Sequence, residues 1–190
     1  KGWLCAGQNG KGILTESPSP PVDVLIDDIW LLQTHSTPPS VDHQQDGFTV
    51  IRYSVDSIGM VEQTFRPHPS LNPDAWLREL KYTNLSSETQ DLTQAVFRLG
   101  RAASPQLHTW FPTHAVLFET DSDFSVGTAF KTQSDFYTFI PGDTLIEVQV
   151  DACWRLQPGQ SATIGQQGIW LFKGRKNDFH NQLQAWYRSI

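Results

Sequence analysis

Residues 75–99 read AWLRELKYTNLSSETQDLTQAVFRL. Trp76, Arg78, Leu80 and Tyr82 alternate with Leu77, Glu79, Lys81 and Thr83; further on, Leu92, Gln94, Val96 and Arg98 alternate with Thr93, Ala95, Phe97 and Leu99. Successive side chains of a strand point to opposite faces, so a period of two belongs to strands covered on one side and partly wet on the other. Between the two runs, residues 84–91 (NLSSETQD) are rich in side chains that turn the chain by bonding their own backbone. The stretch reads as two strands joined by a polar turn, and the same pattern recurs through most of the chain.

Towards the N-terminus, residues 48–56 place Thr49, Ile51, Tyr53 and Val55 on one face, residues 57–59 turn, and residues 60–66 return as the partner strand. Pro67, Pro69 and Pro73 end it, because proline cannot feed a ladder. With residues 75–99 this predicts four consecutive antiparallel strands, a meander. Residues 34–46, with Pro38 and Pro39, read as a rim loop or a connection between sheets. Residues 24–32 are apolar but interrupted by Asp27 and Asp28, which leaves strand and short helix both open. Residues 17–22 hold three prolines and cannot lie inside a sheet. Residues 1–14 read as a hairpin turning at Gln8-Asn9-Gly10.

Towards the C-terminus, residues 100–113 look irregular and aromatic. Residues 115–119 and 124–130 are two further strands, and residues 134–140 are again aromatic, ahead of a Pro141-Gly142-Asp143 turn. Residues 144–156 carry the clearest alternation: Ile146, Val148, Val150, Ala152, Trp154 and Leu156 against Glu147, Gln149, Asp151 and Arg155. After a turn at residues 157–160, residues 161–164 and 169–172 add short strands. No repeat of fixed period is visible. At the end the period changes, with Phe179, Leu183, Trp186 and Tyr187 on one helical face and Asn177 or Asp178 as N-cap. No stop signal precedes Ile190, so the natural chain is expected to continue.

A chain of 190 residues with 38% hydrophobic content builds one large domain without metal or crosslinks, and no cofactor is expected. The net charge is −6 and the basic residues form no run, which argues against nucleic acid. No apolar run approaches the ~20 residues of a membrane span. The first residue is Lys, so a leader removed earlier would leave no trace, and localisation is not legible. Cys5 and Cys153 are too few for a disulfide scaffold; two free, half-buried thiols are the first reading and a pair the second. No Cys/His spacing suits a metal site.

About ten strands and a terminal helix suggest a two-sheet sandwich. Here the sequence resembles a known family. Residues 60–66 (MVEQTFR), residues 76–88 (WLRELKYTNLSSE), the LQPGQ turn at residues 156–160 and the tail FHNQLQAWYR at residues 179–188 are similar to the N-terminal β-supersandwich domain of multidomain glycoside hydrolases, as in α-galactosidase-like enzymes. The galactose-mutarotase-like fold shares this architecture. The resemblance implies an all-β, two-sheet antiparallel supersandwich over residues 1–174, with residues 175–190 as a C-terminal linker helix to a further domain. It implies a domain that is not the catalyst, packs on the catalytic domain of the same polypeptide, and lends a loop to a carbohydrate site. A stand-alone aldose-epimerase-like enzyme and a sugar-binding module are the alternatives.

No catalytic residue stands out. His108, Trp110, Phe111 and His114 crowd one stretch, where aromatic faces would stack on a sugar ring and imidazoles would bond its hydroxyls. Large aromatics are more often packing residues, so plugging the sandwich edge is the first reading. An epimerase pair drawn from His68, His108 or His114 with Glu119 or Glu147 can be assembled on paper only, as can a glycosidase pair of Glu79 and Asp151. Asn84-Leu85-Ser86 matches a glycosylation acceptor, but Asn84 suits a turn residue better. Trp170 and Trp186 are expected to form the seam between sheet and helix, with an apolar patch left open beside it.

Overall fold

The computed structural model describes residues 6–8, 11–14, 16–67, 75–100, 106–110, 115–119, 124–132, 137–142, 144–173 and 176–189. In chain order the strands are β1 (Ala6–Gln8), β2 (Lys11–Leu14), β3 (Val22–Ile26) and β4 (Ile29–Trp30). The short helix α1 (Leu31–Thr34) precedes β5 (Ser40–His43), β6 (Thr49–Val55), β7 (Gly59–Pro67), β8 (Ala75–Asn84) and β9 (Gln90–Gly100). Then come β10 (Gln106–Trp110), β11 (Ala115–Glu119), β12 (Phe124–Thr132), β13 (Tyr137–Pro141), β14 (Leu145–Leu156), β15 (Ser161–Lys173) and the helix α2 (Lys176–Ser189).

The fold is an all-β antiparallel sandwich. An eight-stranded sheet, ordered β10-β11-β12-β15-β8-β7-β6-β5, faces a five-stranded sheet, ordered β13-β14-β9-β3-β4, and β1-β2 form a separate hairpin. Tyr53, Val61, Phe65, Leu80, Tyr82 and Phe130 of the large sheet meet Val24, Leu92, Ala95, Phe97, Val148 and Val150 of the small one in a single core. The two faces of β6 and β8 are those their alternation predicts, because a one-residue slip would expose this whole set.

The four-strand meander is not formed. β6, β7 and β8 are neighbours, but β9 leaves for the other sheet, where it pairs with β14 and β3, while β8 takes β15 as its second partner. Residues 85–89 are thus an arch between sheets rather than a hairpin turn. A second arch, residues 157–160, carries the chain from β14 back to β15. Asn84 stitches the two together. Its Nδ2 donates to Glu88 O (2.8 Å) and Leu156 O (2.9 Å), and its Oδ1 accepts from Ser86 N and Ser86 Oγ (2.8 Å each). Its backbone N donates to Gln160 O and its carbonyl accepts from Gly159 N, both at 2.9 Å. Asn84 is fully buried and its amide is spent on these bonds, so in the folded chain it is a structural residue and not a glycan acceptor.

Other departures have local causes. Residues 24–32 divide into β3, a two-residue turn at Asp27 and Asp28 with both φ positive (47° and 65°), β4 and α1. The expected loop at residues 34–46 contains the edge strand β5, held by pairing to β6 rather than by burial. Residues 100–113, expected to be irregular, contain β10, which pairs with β11 from Gln106↔Glu119 to Trp110↔Ala115. The two short strands after residue 160 are one, β15, with a register shift between Thr163 and Gly165. Leu92 points into the core with Ala95 and Phe97 because the ladder shifts register at Thr93 against both β3 and β14.

The helix α2 lies on the outer face of the large sheet, where Phe179, Leu183 and Trp186 pack with Ala75, Leu77, Ala129 and Trp170. Trp170 meets Trp186 edge to face at 5.4 Å. The approach is close because the sheet offers glycines there: a Cβ on Gly127 would strike the Phe179 ring, and one on Gly168 would sit 2.7 Å from Trp170. Among the described residues no apolar patch stays open at this seam; the exposed large hydrophobics Ile29, Val41, Leu85 and Ile140 lie elsewhere. The helix begins at Lys176, so Asn177 and Asp178 sit inside its first turn, where Asp178 favours the dipole. Cys153 is exposed rather than half-buried and is free, and Cys5 lies outside the described residues.

Candidate functional site

The polar residues that interrupt the apolar inner faces converge at one end of the sandwich. Arg78 of β8 is 2% exposed, in inner-face register with Leu80 and Tyr82. All five of its N–H groups are engaged: Nε and Nη2 donate to Gln63 Oε1 (2.9 and 2.6 Å), Nη1 to Gln167 Oε1 (3.1 Å) and Arg98 O (3.4 Å), and Nη2 to Pro21 O (2.9 Å). The rings of Phe65 and Phe97 lie 5.6 Å from its guanidinium carbon, an arrangement that favours a cation. Every printed acceptor is neutral. Burial therefore pushes the guanidinium down to about 9, which leaves it charged at neutral pH. Gln167 passes a bond to Thr128 Oγ1 (2.9 Å), and Gln63 donates to Tyr53 Oη (3.3 Å). Burial raises the Tyr53 phenol to about 12, against the pull of Arg78 and the Gln63 bond.

Arg98, on the opposite face of the small sheet, grips the same segment from outside. Its Nη1 donates to Pro20 O (3.0 Å), its backbone N donates to Pro21 O (2.9 Å), and its Nε pairs with Glu147 (2.5 Å). Asp23, fully buried on β3, accepts from the backbone N–H of Val24 (2.9 Å), Leu32 (2.7 Å) and Gln33 (2.9 Å) and so holds the start of α1. Burial pushes the Asp23 carboxyl up; these three donors and Arg98 oppose it. The clamps fix the walls of a groove of about 670 Å³, formed by residues 17–21 and 36–39 with Leu32, Gln33 and Tyr53.

The arrangement binds and positions; it holds no acid–base pair. Glu147 is committed to Arg98. Glu79 accepts from Gln166 on the outer face of the large sheet and Asp151 from Gln94 on the small one, so the two carboxylates lie on different sheets and face no common substrate. Glu119 is on β11. His108 and Trp110 lie on the edge strand β10, opposite Leu117 and Ala115. His68, Phe111 and His114 lie outside the described residues. Among the described residues no group of His, Cys, Asp and Glu could hold a metal ion, and no helix is long and apolar enough to cross a membrane.

Sequence reasoning passed over Arg78, Gln63 and Gln167. A signal was present: each is polar at a position where its strand is otherwise apolar. Nothing in the pattern says that the three meet, since Gln167 is 89 residues from Arg78.

No family model and no curated protein matches the sequence. Solved structures do match the fold. A human-microbiome protein provisionally assigned as a kojibiose phosphorylase superposes with a TM-score of 0.58 at 8% identity, over 88% of this chain and 24% of that one. The α-galactosidase from Lactobacillus brevis superposes with a TM-score of 0.45 at 12% identity, over 94% of this chain and 32% of that one. A family 36 α-galactosidase from Geobacillus stearothermophilus gives 0.45 at 10% identity, over 84% and 31%. The chain thus shares the fold of one part of a larger protein and spans about a quarter of the phosphorylase-like chain.

Proposed function

We propose that the chain is the non-catalytic N-terminal β-sandwich domain of a carbohydrate-active enzyme of the glycoside hydrolase kind. Residues 1–174 are the sandwich, and residues 175–190 lead to the catalytic domain of the same polypeptide, on which the sandwich packs. The observation that carries this reading is the fold match over 88% of this chain but 24% of its neighbour. The lack of a facing acid–base pair among the described carboxylates agrees with it. His108, Trp110, Phe111 and His114, on and just after the edge strand β10, are the residues proposed to reach a carbohydrate in the neighbouring site.

The test is expression of the reading frame past Ile190 beside the 190-residue chain, with both assayed on a panel of nitrophenyl glycosides and on sugar mutarotation. Cleavage by the extended protein alone is expected. Turnover by the short chain, or a stop codon directly after residue 190, would overturn the reading.

A further inference from the structure

The groove at the end of the sandwich is the one described concavity whose walls are held by the most expensive interactions of the fold. Buried charges are costly to keep, and a fold gains little by spending them on a passive surface. Here Arg78 and Arg98 fasten the Pro20 and Pro21 carbonyls from opposite faces of the small sheet, and Asp23 fastens the N–H groups of Leu32 and Gln33. All four anchored residues line the groove, so its shape is set before any ligand arrives, which lowers the ordering cost of binding.

The lining chemistry selects the ligand. The ionic groups face away into the clamps, and no carboxylate, ammonium or guanidinium lines the groove; Tyr53, with its phenol near 12, is neutral. A charged ligand would lose its hydration there with no partner in return. The prolines of both walls present C–H surface, and Ser17, Ser36, Thr37 and Gln33 present hydroxyls and an amide. A molecule that alternates C–H faces with hydroxyls matches this lining. The Thr37 hydroxyl oxygen is buried without a hydrogen-bond partner, a group that costs stability until something bonds it. The volume of about 670 Å³ lies within the ~300–1,000 Å³ of small-molecule sites.

We infer that this groove is a binding subsite for a neutral saccharide, with the Thr37 hydroxyl and the Gln33 amide as polar contacts and the prolines as the apolar wall. The inference rests on the carbohydrate-active reading above and places a sugar contact away from the β10 edge. It is tested by saturation-transfer NMR of the full chain with maltotriose and with raffinose, up to tens of millimolar, with glucuronic acid as the charged control. Thr37→Val keeps the shape and removes the hydroxyl; Ser36→Trp fills the groove; thermal melts confirm that both fold.

The expected result is saturation transfer to at least one trisaccharide and none to glucuronic acid. Thr37→Val should weaken binding about five- to tenfold, the worth of one hydrogen bond. Ser36→Trp should abolish it. No transfer to either trisaccharide overturns the inference, as does transfer that survives both substitutions or is lost only on Trp110→Ala. If an extended polypeptide cleaves glycosides while the short chain shows no groove binding, only this inference falls. If the chain binds and the extended polypeptide is inert, the groove stands and the domain assignment falls.

Discussion

Asn84 is the most economical place to break this fold, because one amide ties both arches. In Asn84→Ala the Leu156 carbonyl, buried at the end of β14, loses its donor, and the Glu88 carbonyl and the Ser86 N–H and hydroxyl, all nearer water, lose theirs. A buried orphan costs ~1–3 kcal/mol and a group that rehydrates well under 1, so the loss should be about 3 kcal/mol. With a urea slope of ~2 kcal/mol/M, the midpoint should fall by about 1.5 M. Asn84→Asp separates a bonding role from a space-filling one. It keeps the acceptor for Ser86 but turns the donor atom towards two carbonyls as a second oxygen, and it buries a charge. It should therefore cost more than alanine, about 4 kcal/mol or above. Ser86→Ala, at a wetter position, should cost about 0.5–1 kcal/mol. The assay is equilibrium urea unfolding followed by tryptophan fluorescence. An alanine variant within about 1 kcal/mol of the parent, or an aspartate variant more stable than the alanine one, would refute the argument, since the donated bonds would then be contributing nothing.

Arg78→Met should destabilise by about 3–5 kcal/mol, because the Pro21 and Arg98 carbonyls and the Gln63 and Gln167 amide oxygens lose their donor together; chemical denaturation measures it, and a cost below about 1 kcal/mol would show that the desolvated charge offsets its own bonds. Asp23, with its folded-state carboxyl raised by burial, binds a proton more tightly folded than unfolded. Its contribution is fully present below the ordinary carboxylate value and is lost as pH rises through the raised one, so parent stability relative to Asp23→Asn should decline across that window; paired thermal melts showing a flat or rising difference would contradict this. Gly127→Ala should cost about 1–3 kcal/mol by lifting Phe179 and α2 from the sheet, with Phe179→Leu recovering part of the loss in the double variant. Asp28→Gly should raise stability by about 0.5–1 kcal/mol, because φ of 65° suits glycine at the second turn position; a lower melting temperature would count against that turn geometry.

The alternation in residues 49–55, 75–84 and 145–156 determined by itself which side chains go inward, and the structure keeps those faces, since a period of two can be satisfied in one phase only when one side is buried. The change to helical spacing at Phe179, Leu183 and Trp186 was equally plain, as was a turn after Asn84. Only the tertiary structure decided that this turn is an arch and not a hairpin, because an alternating strand encodes its face and not its neighbour. The edge strand β10, held by its pairing with β11, and the short edge β5, held by pairing rather than burial, carry no strong pattern of their own. The meeting of Arg78 with Gln63, Gln167 and the Pro21 carbonyl, and the groove that this clamp shapes, depend on strands far apart in the chain lying side by side. Local sequence could mark each of these residues as out of place on an apolar face; only the packed sheets show that each one's partners are the others.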